Sequence, residues 1–264
     1  MVQSQRWALG LEYLGAQYCG WQRQADQPSV QAHLEDALSK IAATPVSVTA
    51  AGRTDTGVHA SFQIVHFDSA VERDDAAWVR GGNQHLPADI AIRWARPVDN
   101  EFHARFSALS RRYVYLLAAQ PYRPGLHNTR VGWTHWPQDI ARIQAALPSL
   151  IGTFDFSAFR AAECQAKSPI KTMYGASVNV NEVNGLIRFD FHANAFLYHM
   201  IRNIIGALVY IGNSRQPMDW ITTLLQGRDR TRAAPTFSAN GLYLAGIEYD
   251  PKYALPETFV NPQL

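Results

Sequence analysis

The sequence predicts an α+β protein built as two similar halves, each with a mainly antiparallel sheet flanked by helices. Three observations lead there. Strand-like alternation recurs between stripes of helical period, a tight hairpin turn sits in the second half, and the second half follows a plan like that of the first. With 264 residues, 47% of them hydrophobic and 17% charged, the chain can bury a sizeable core and has room for two such halves. The division is expected near residue 106. An N-terminal half then covers 1–106, a C-terminal half covers 107–264, and a cleft lies between them.

In order, the first half reads as a strand at about 6–14, a helix at about 29–43 and strands at 46–51 and 62–68. A helix at 74–84 and a strand at 89–97 complete it. Ser29 is placed to cap the first helix, and Val30, Leu34, Ala37, Leu38 and Ile41 form its apolar stripe. The second half opens with a strand over Ser110–Leu117, and a helix follows from Ile140 to Leu150, with Gly152 as a C-terminal stop. Ser177–Val180 and Leu186–Phe191 form a hairpin around Asn184-Gly185. Helices at about 198–212 and 217–226 precede a last strand at 242–249. The segment Phe102–Leu109, which carries His103 and Arg105, is the natural linker.

Composition excludes several classes. No apolar run approaches the roughly 18–20 residues of a membrane-spanning helix. The first residues, Met1 to Arg6, lack a secretory leader pattern. Cys19 and Cys164 stand alone, without zinc spacing, so a reduced, cytoplasmic setting and no metal held by cysteine are expected. Net charge is only +2, yet it is unevenly spread: residues 102–175 carry nine Lys and Arg against three Asp and Glu. That stretch suits a polyanionic partner, and 20 of the 24 cationic residues are Arg, which forks onto phosphate.

The chemistry-bearing candidate is Ala51-Gly52-Arg53-Thr54-Asp55-Thr56-Gly57-Val58-His59, a turn between two predicted strands. Gly52 and Gly57 are expected to supply positive φ on either side of Asp55, with Arg53 and His59 close by. An Asp between glycines ordinarily closes an Asx-turn, so the loop by itself fits a structural role as well as a chemical one. Three further segments stand out: Arg111-Arg112-Tyr113-Val114-Tyr115, the strand-to-helix run Asn194–Gly206 with His199 and Arg202, and Gly241-Leu242-Tyr243-Leu244. Arg202, near an apolar helix face, calls for an anionic partner.

Taken together, these four segments resemble the bacterial tRNA pseudouridine synthase A family. Gly20-Trp21-Gln22-Arg23-Gln24 and Phe102-His103-Ala104-Arg105-Phe106 are similar to it too, and the likeness runs in order from about residue 7 to 250. Thr56 stands where the family pattern has Ala, and Leu109-Ser110 precede the Arg pair in place of its usual residues; the tail from Pro251 carries no motif.

The resemblance implies an isomerase that detaches uracil from its ribose, rotates it and reattaches it through carbon. It implies Asp55 as nucleophile, Arg202 as its cationic partner, Tyr113 packed on a flipped-out uracil and Leu242 closing the pocket. Arg53 would occupy the space the base leaves, and Arg73, His103, Arg105, Lys167 and Ser168 would hold the RNA. Uridines 38–40 of the tRNA anticodon arm, a homodimer and no cofactor or metal follow from the same likeness. His59 and His66 lie at no metal-site spacing and read as structural. A non-catalytic tRNA-binding protein or RNA chaperone would use the basic stretch equally, but has no need of Asp55 with Arg202 and Tyr113. An aspartate-dependent hydrolase would want a second carboxylate or a phosphate-gripping glycine loop, and neither is evident.

Overall fold

The computed structural model describes residues 4–262 and 264, and its architecture is α+β. It divides into two compact units. One comprises Met1–Leu109 with Tyr243–Leu264, the other Ser110–Leu242. The terminal strand and tail thus pack with the first unit, whereas the sequence-based division at residue 106 counted them with the second. The register explains it: Tyr243 and Leu244 pair in parallel with His59 and Ala60.

In the first unit, β1 (Gln5–Tyr13), β3 (His59–Ser69), β4 (Ile90–Val98) and β10 (Leu242–Tyr249, all but its first residue in this unit) lie in the order β4-β1-β3-β10. The β1 pairings are antiparallel. The helix α1 (Val30–Ala42) buries Val30, Leu34, Ala37 and Leu38, and the Ser29 hydroxyl accepts the Ala32 amide at 3.3 Å as its cap. β2 is only Thr49–Ala50, shorter than the strand expected over 46–51. The preceding amides are spent on α1 side chains instead: Val46 N–H donates to the Ser39 hydroxyl and Val48 N–H to the Glu35 carboxylate. The helix expected at 74–84 forms, but as a π-turn over Ala77–Gly81 followed by α2 (Gly82–His85). A Cβ on Gly81 would meet Ile41 of α1 at 2.6 Å, so this adjacent pair of glycines lets neighbouring side chains press close. Trp78 is fully buried there between Phe67 and Trp7.

In the second unit, β5 (Ala108–Ala119), β7 (Gly152–Asp155), β8 (Ile170–Val180) and β9 (Ile187–Ala193) lie in the order β5-β9-β8-β7, all antiparallel. β6 (Gly132–Thr134) adds to β5 in parallel. The turn at Asn184-Gly185 forms, with Gly185 at φ +68. Neither β6 nor β7 is expected from local pattern. Gly152, read as a helix stop, opens β7, because α3 (Ile140–Ala146) tightens into a 3₁₀ turn at Leu147–Leu150 around Pro148. The long apolar helix α4 (Met200–Gly212) is buried almost all round, and α5 (Trp220–Gly227) follows it. Among the described residues no helix is long and apolar enough to cross a membrane.

Candidate active site

Asp55 sits half-buried in the loop between β2 and β3, and its surroundings fix the backbone on both sides. At the start, Ala51 N–H donates to the Ile64 carbonyl at 2.8 Å, and the fully buried Gln63 amide donates to the Gly52 carbonyl at 2.7 Å. In the middle, the Tyr13 hydroxyl shares a 2.8 Å hydrogen bond with Thr54 Oγ1, while Trp21 N–H donates to the Thr54 carbonyl at 3.0 Å. Burial pushes the Tyr13 hydroxyl far above its ordinary pKa, so it stays protonated and able to donate. Past the acid, Val58 N–H returns to the Asp55 carbonyl at 3.1 Å. Buried His59 then accepts the Gly15 amide on Nδ1 at 2.8 Å and packs on the Tyr243 ring.

Two glycines outside the loop matter as much as those within it. A Cβ on Gly20, whose φ is +88, would stand 2.6 Å from the Thr54 carbonyl oxygen and 3.1 Å from the Asp55 carbonyl carbon. A Cβ on Gly15 would drive into the Val58 carbonyl. Gly57 has the expected left-handed backbone, at φ +78, but Gly52 does not: it lacks positive φ and a Cβ there meets nothing within 4 Å. Sequence reasoning left Tyr13 and Gly15 unremarked and gave the Gly20-Trp21 motif no role. Its signal was there in the glycine before Trp21, which marks a close backbone approach without saying to what.

On the second unit, Tyr113, Arg202 and Leu242 fall on one connected stretch of structure. Tyr113 lies on β5, and Phe196 meets its ring edge-on with centroids 5.0 Å apart. Arg202, in the first turn of α4, donates from Nε to the Phe237 carbonyl at 2.9 Å, and Phe237 N–H returns to the Arg202 carbonyl at 3.2 Å. Tyr115, two residues along β5 from Tyr113, donates its hydroxyl to the Ser238 carbonyl at 2.9 Å. Gly241 then passes so close to Tyr115 and Leu116 that its Cβ would collide with both, and Leu242 follows, buried. The helix entrance is strained: His199 occupies the left-handed region at φ +60 and stacks on Tyr198.

Behind Arg202 lies a polar cluster that the sequence did not suggest. Asn203 is fully buried and hydrogen-bonded through both its amide nitrogen and its oxygen. Its amide donates to the Phe159 carbonyl at 2.8 Å, and its oxygen accepts from Arg230 at 3.0 Å and from the Thr236 hydroxyl at 2.7 Å. Adjacent residues of α4 therefore both anchor the 234–237 segment.

The remaining candidates are spread over the surface. Arg53 is exposed beside Asp55. Arg73 is also exposed and lines an open depression of about 1030 Å³ with Trp7, Asp74 and Asn100, away from the Asp55 loop. His103 caps a tight turn that presents Arg105. Exposed Lys167 and Ser168 lie just before β8, where the Ser168 hydroxyl accepts the Ile170 amide. His66 is buried and accepts the Ala104 amide on Nδ1. Among the described residues no group of three His, Cys, Asp or Glu side chains is arranged to hold a metal ion.

Comparison with known proteins shows the family. A family model described as tRNA pseudouridine synthase matches residues 11–107 and 146–250. The chain is 55% identical over 252 residues to tRNA pseudouridine synthase A of Dechloromonas aromatica, covering 96% of this chain and 95% of the relative. It is 53% identical over 264 residues to the protein of that name from Neisseria meningitidis serogroup C, covering 100% and 97%. With that of Nitrosomonas eutropha it shares 54% over 248 residues, covering 94% and 89%. The chain belongs to the tRNA pseudouridine synthase family of isomerases.

Proposed function

We propose that the chain converts uridine to pseudouridine at positions 38–40 of the tRNA anticodon arm, with Asp55 as the nucleophile. The observation that carries this reading is a carboxylate mounted on an immobilised backbone. Asp55 is half-exposed, while the backbone on each side of it is clamped by Tyr13, Gln63, Trp21 and His59. A turn that served only its own closure would not need β1, β3 and the segment around Trp21 to hold it.

In the reaction, the bond from ribose C1′ to uracil N1 breaks, the ring turns, and C1′ bonds to C5. C5 gives up its proton and N1 ends with one, so the change is an isomerisation with no redox step. Attack by Asp55 on the sugar or on the base satisfies that balance equally. Tyr113 supplies a ring against the uracil, Leu242 an apolar wall and Arg202 a fixed cation. A uridine must leave the stack to be reached, at a cost of a few kcal/mol, and Arg53 fills the gap. Arg73, His103, Arg105, Lys167 and Ser168 hold the RNA backbone. The working form is a homodimer in the cytoplasm, in keeping with family resemblance and with two free thiols at Cys19 and Cys164.

The test is to incubate purified protein with unmodified tRNA and map pseudouridine by carbodiimide-dependent primer-extension stops. Stops in the anticodon arm are expected, absent with Asp55→Asn although tRNA affinity stays within a few fold. Stops elsewhere overturn the position, and near-normal turnover by Asp55→Asn overturns the nucleophile. Arg105→Ala and Lys167→Ala should each lower the salt slope of binding by about 1. An unchanged slope removes that residue from the RNA path.

A further inference from the structure

We propose that Phe106 is a stacking platform for an unpaired RNA base, outside the pocket that takes the reacting uridine; this rests on the reading of tRNA as substrate. Phe106 is 76% exposed, an unusual position for a hydrocarbon ring with no polar handle. It is also held still. Buried Phe102 meets His66 edge-on, His66 meets His103 at 4.7 Å, and His103 stacks on Phe106 with centroids 4.3 Å apart and planes at 28°. Phe106 is the outermost ring of a column rooted in the core.

The turn beneath the ring is fully specified. His103 N–H donates to the Ser107 hydroxyl at 3.0 Å, and Ser107 N–H donates to the His103 carbonyl at 2.9 Å. The amides of Arg105 and Phe106 both donate to His103 Nδ1 at 3.2 Å. That nitrogen must stay unprotonated to accept them, and burial together with the Arg6 and Arg105 charges holds the imidazole below its ordinary pKa. Stacked on the His103 imidazole, Phe106 leaves most of its surface open to solvent.

The surroundings favour a nucleobase over an apolar protein side chain. The Arg105 guanidinium stands 5.6 Å from the ring centroid, and residues 102–175 carry nine cationic against three acidic side chains. A flat, exposed ring with a guanidinium close by is the arrangement with which single-stranded RNA is bound, through stacking and phosphate attraction. Leu126 and Val183, which are more exposed still, are aliphatic and offer no stacking face, whereas Tyr122, 71% exposed, is aromatic but lies outside this column of rings.

The experiment measures affinity for unmodified tRNA across a range of salt concentrations for the wild type and for Phe106→Ala, Phe106→Leu, Phe106→Trp and Arg105→Ala. The same preparations are assayed for pseudouridine and for oligomeric mass without RNA. Loss of one stacked base corresponds to roughly 5- to 100-fold weaker binding for Phe106→Ala. Its salt slope should be unchanged, because no phosphate contact is lost, whereas Arg105→Ala should reduce the slope. Trp should restore affinity and Leu should not. Wild-type affinity in Phe106→Ala overturns the platform, as does rescue by Leu equal to that by Trp. A change in oligomeric mass with Phe106→Ala also overturns it, by making a second copy of the chain the occupant. Stacking loss in a protein that makes no pseudouridine would refute the isomerase reading and leave the platform standing; a wild type that does not bind tRNA refutes both.

Discussion

Replacing Gly20 by Ala tests whether the Asp55 loop is positioned from outside. The new Cβ would lie 2.6 Å from the Thr54 carbonyl oxygen and 3.1 Å from the Asp55 carbonyl carbon. Both are backbone atoms, so no side chain can swing away. Ordinary van der Waals contact begins near 3.4 Å, so something must move by roughly 0.8 Å, and Gly20 is itself tied into the Val30 amide through its carbonyl. The residue also sits at φ +88, which costs a non-glycine residue roughly 1–2 kcal/mol. Overpacking adds roughly 1–3 kcal/mol, for a total loss near 2–5 kcal/mol. A displacement approaching 1 Å at a reacting group lowers turnover by up to about a hundredfold. The assay is urea unfolding together with kcat for pseudouridine formation at saturating tRNA, on Gly20→Ala and on Gly52→Ala. The second substitution lies three residues from Asp55 on the loop itself, where a Cβ meets nothing within 4 Å and φ is not positive. It should leave both measurements within about twofold or 0.5 kcal/mol of wild type. A Gly20→Ala protein with normal kcat, or a Gly52→Ala protein as impaired as Gly20→Ala, would refute the reasoning.

Two further predictions concern the frame around the site. Asn203→Ala strips the shared acceptor from Arg230 and Thr236 and the donor from the Phe159 carbonyl, so unfolding free energy should fall by roughly 2–4 kcal/mol. A urea midpoint shift equivalent to less than about 0.5 kcal/mol would show that the cluster does not hold the 234–237 segment. His66 is pushed down to about 4, chiefly by burial and secondarily by His103, so it is neutral in the fold. Its unfolded value, near 6.5, lies higher, so the unfolded chain binds the proton first. The contribution of His66, up to roughly 3 kcal/mol, is complete above pH 6.5 and lost as pH falls towards 4. Chemical denaturation from pH 7 to 4 should show that slope in the wild type and a shallower one in His66→Phe; equal slopes would assign the loss to other groups.

Local pattern alone carried the elements that satisfy themselves. α1 is legible because its cap and its apolar stripe lie within its own residues, and the Asn184-Gly185 hairpin because its turn needs one residue with positive φ. The Asp55 loop and the segments around Tyr113, Arg202 and Leu242 were legible as motifs, which is why the family can be read from sequence. The tertiary structure decided what depends on distant partners. The 46–51 strand shrank to two residues because α1 side chains took its amides. β6 and β7 are three and four residues long and exist only through the strands they lie against. The grip on Asp55 belongs to the same class. Tyr13, Gly15 and Gly20 lie more than thirty residues upstream of the groups they touch, and nothing in a glycine names the carbonyl that will pass beside it. Periodicity and caps are properties of neighbours in sequence; close approach is a property of neighbours in space, and only the folded chain specifies it.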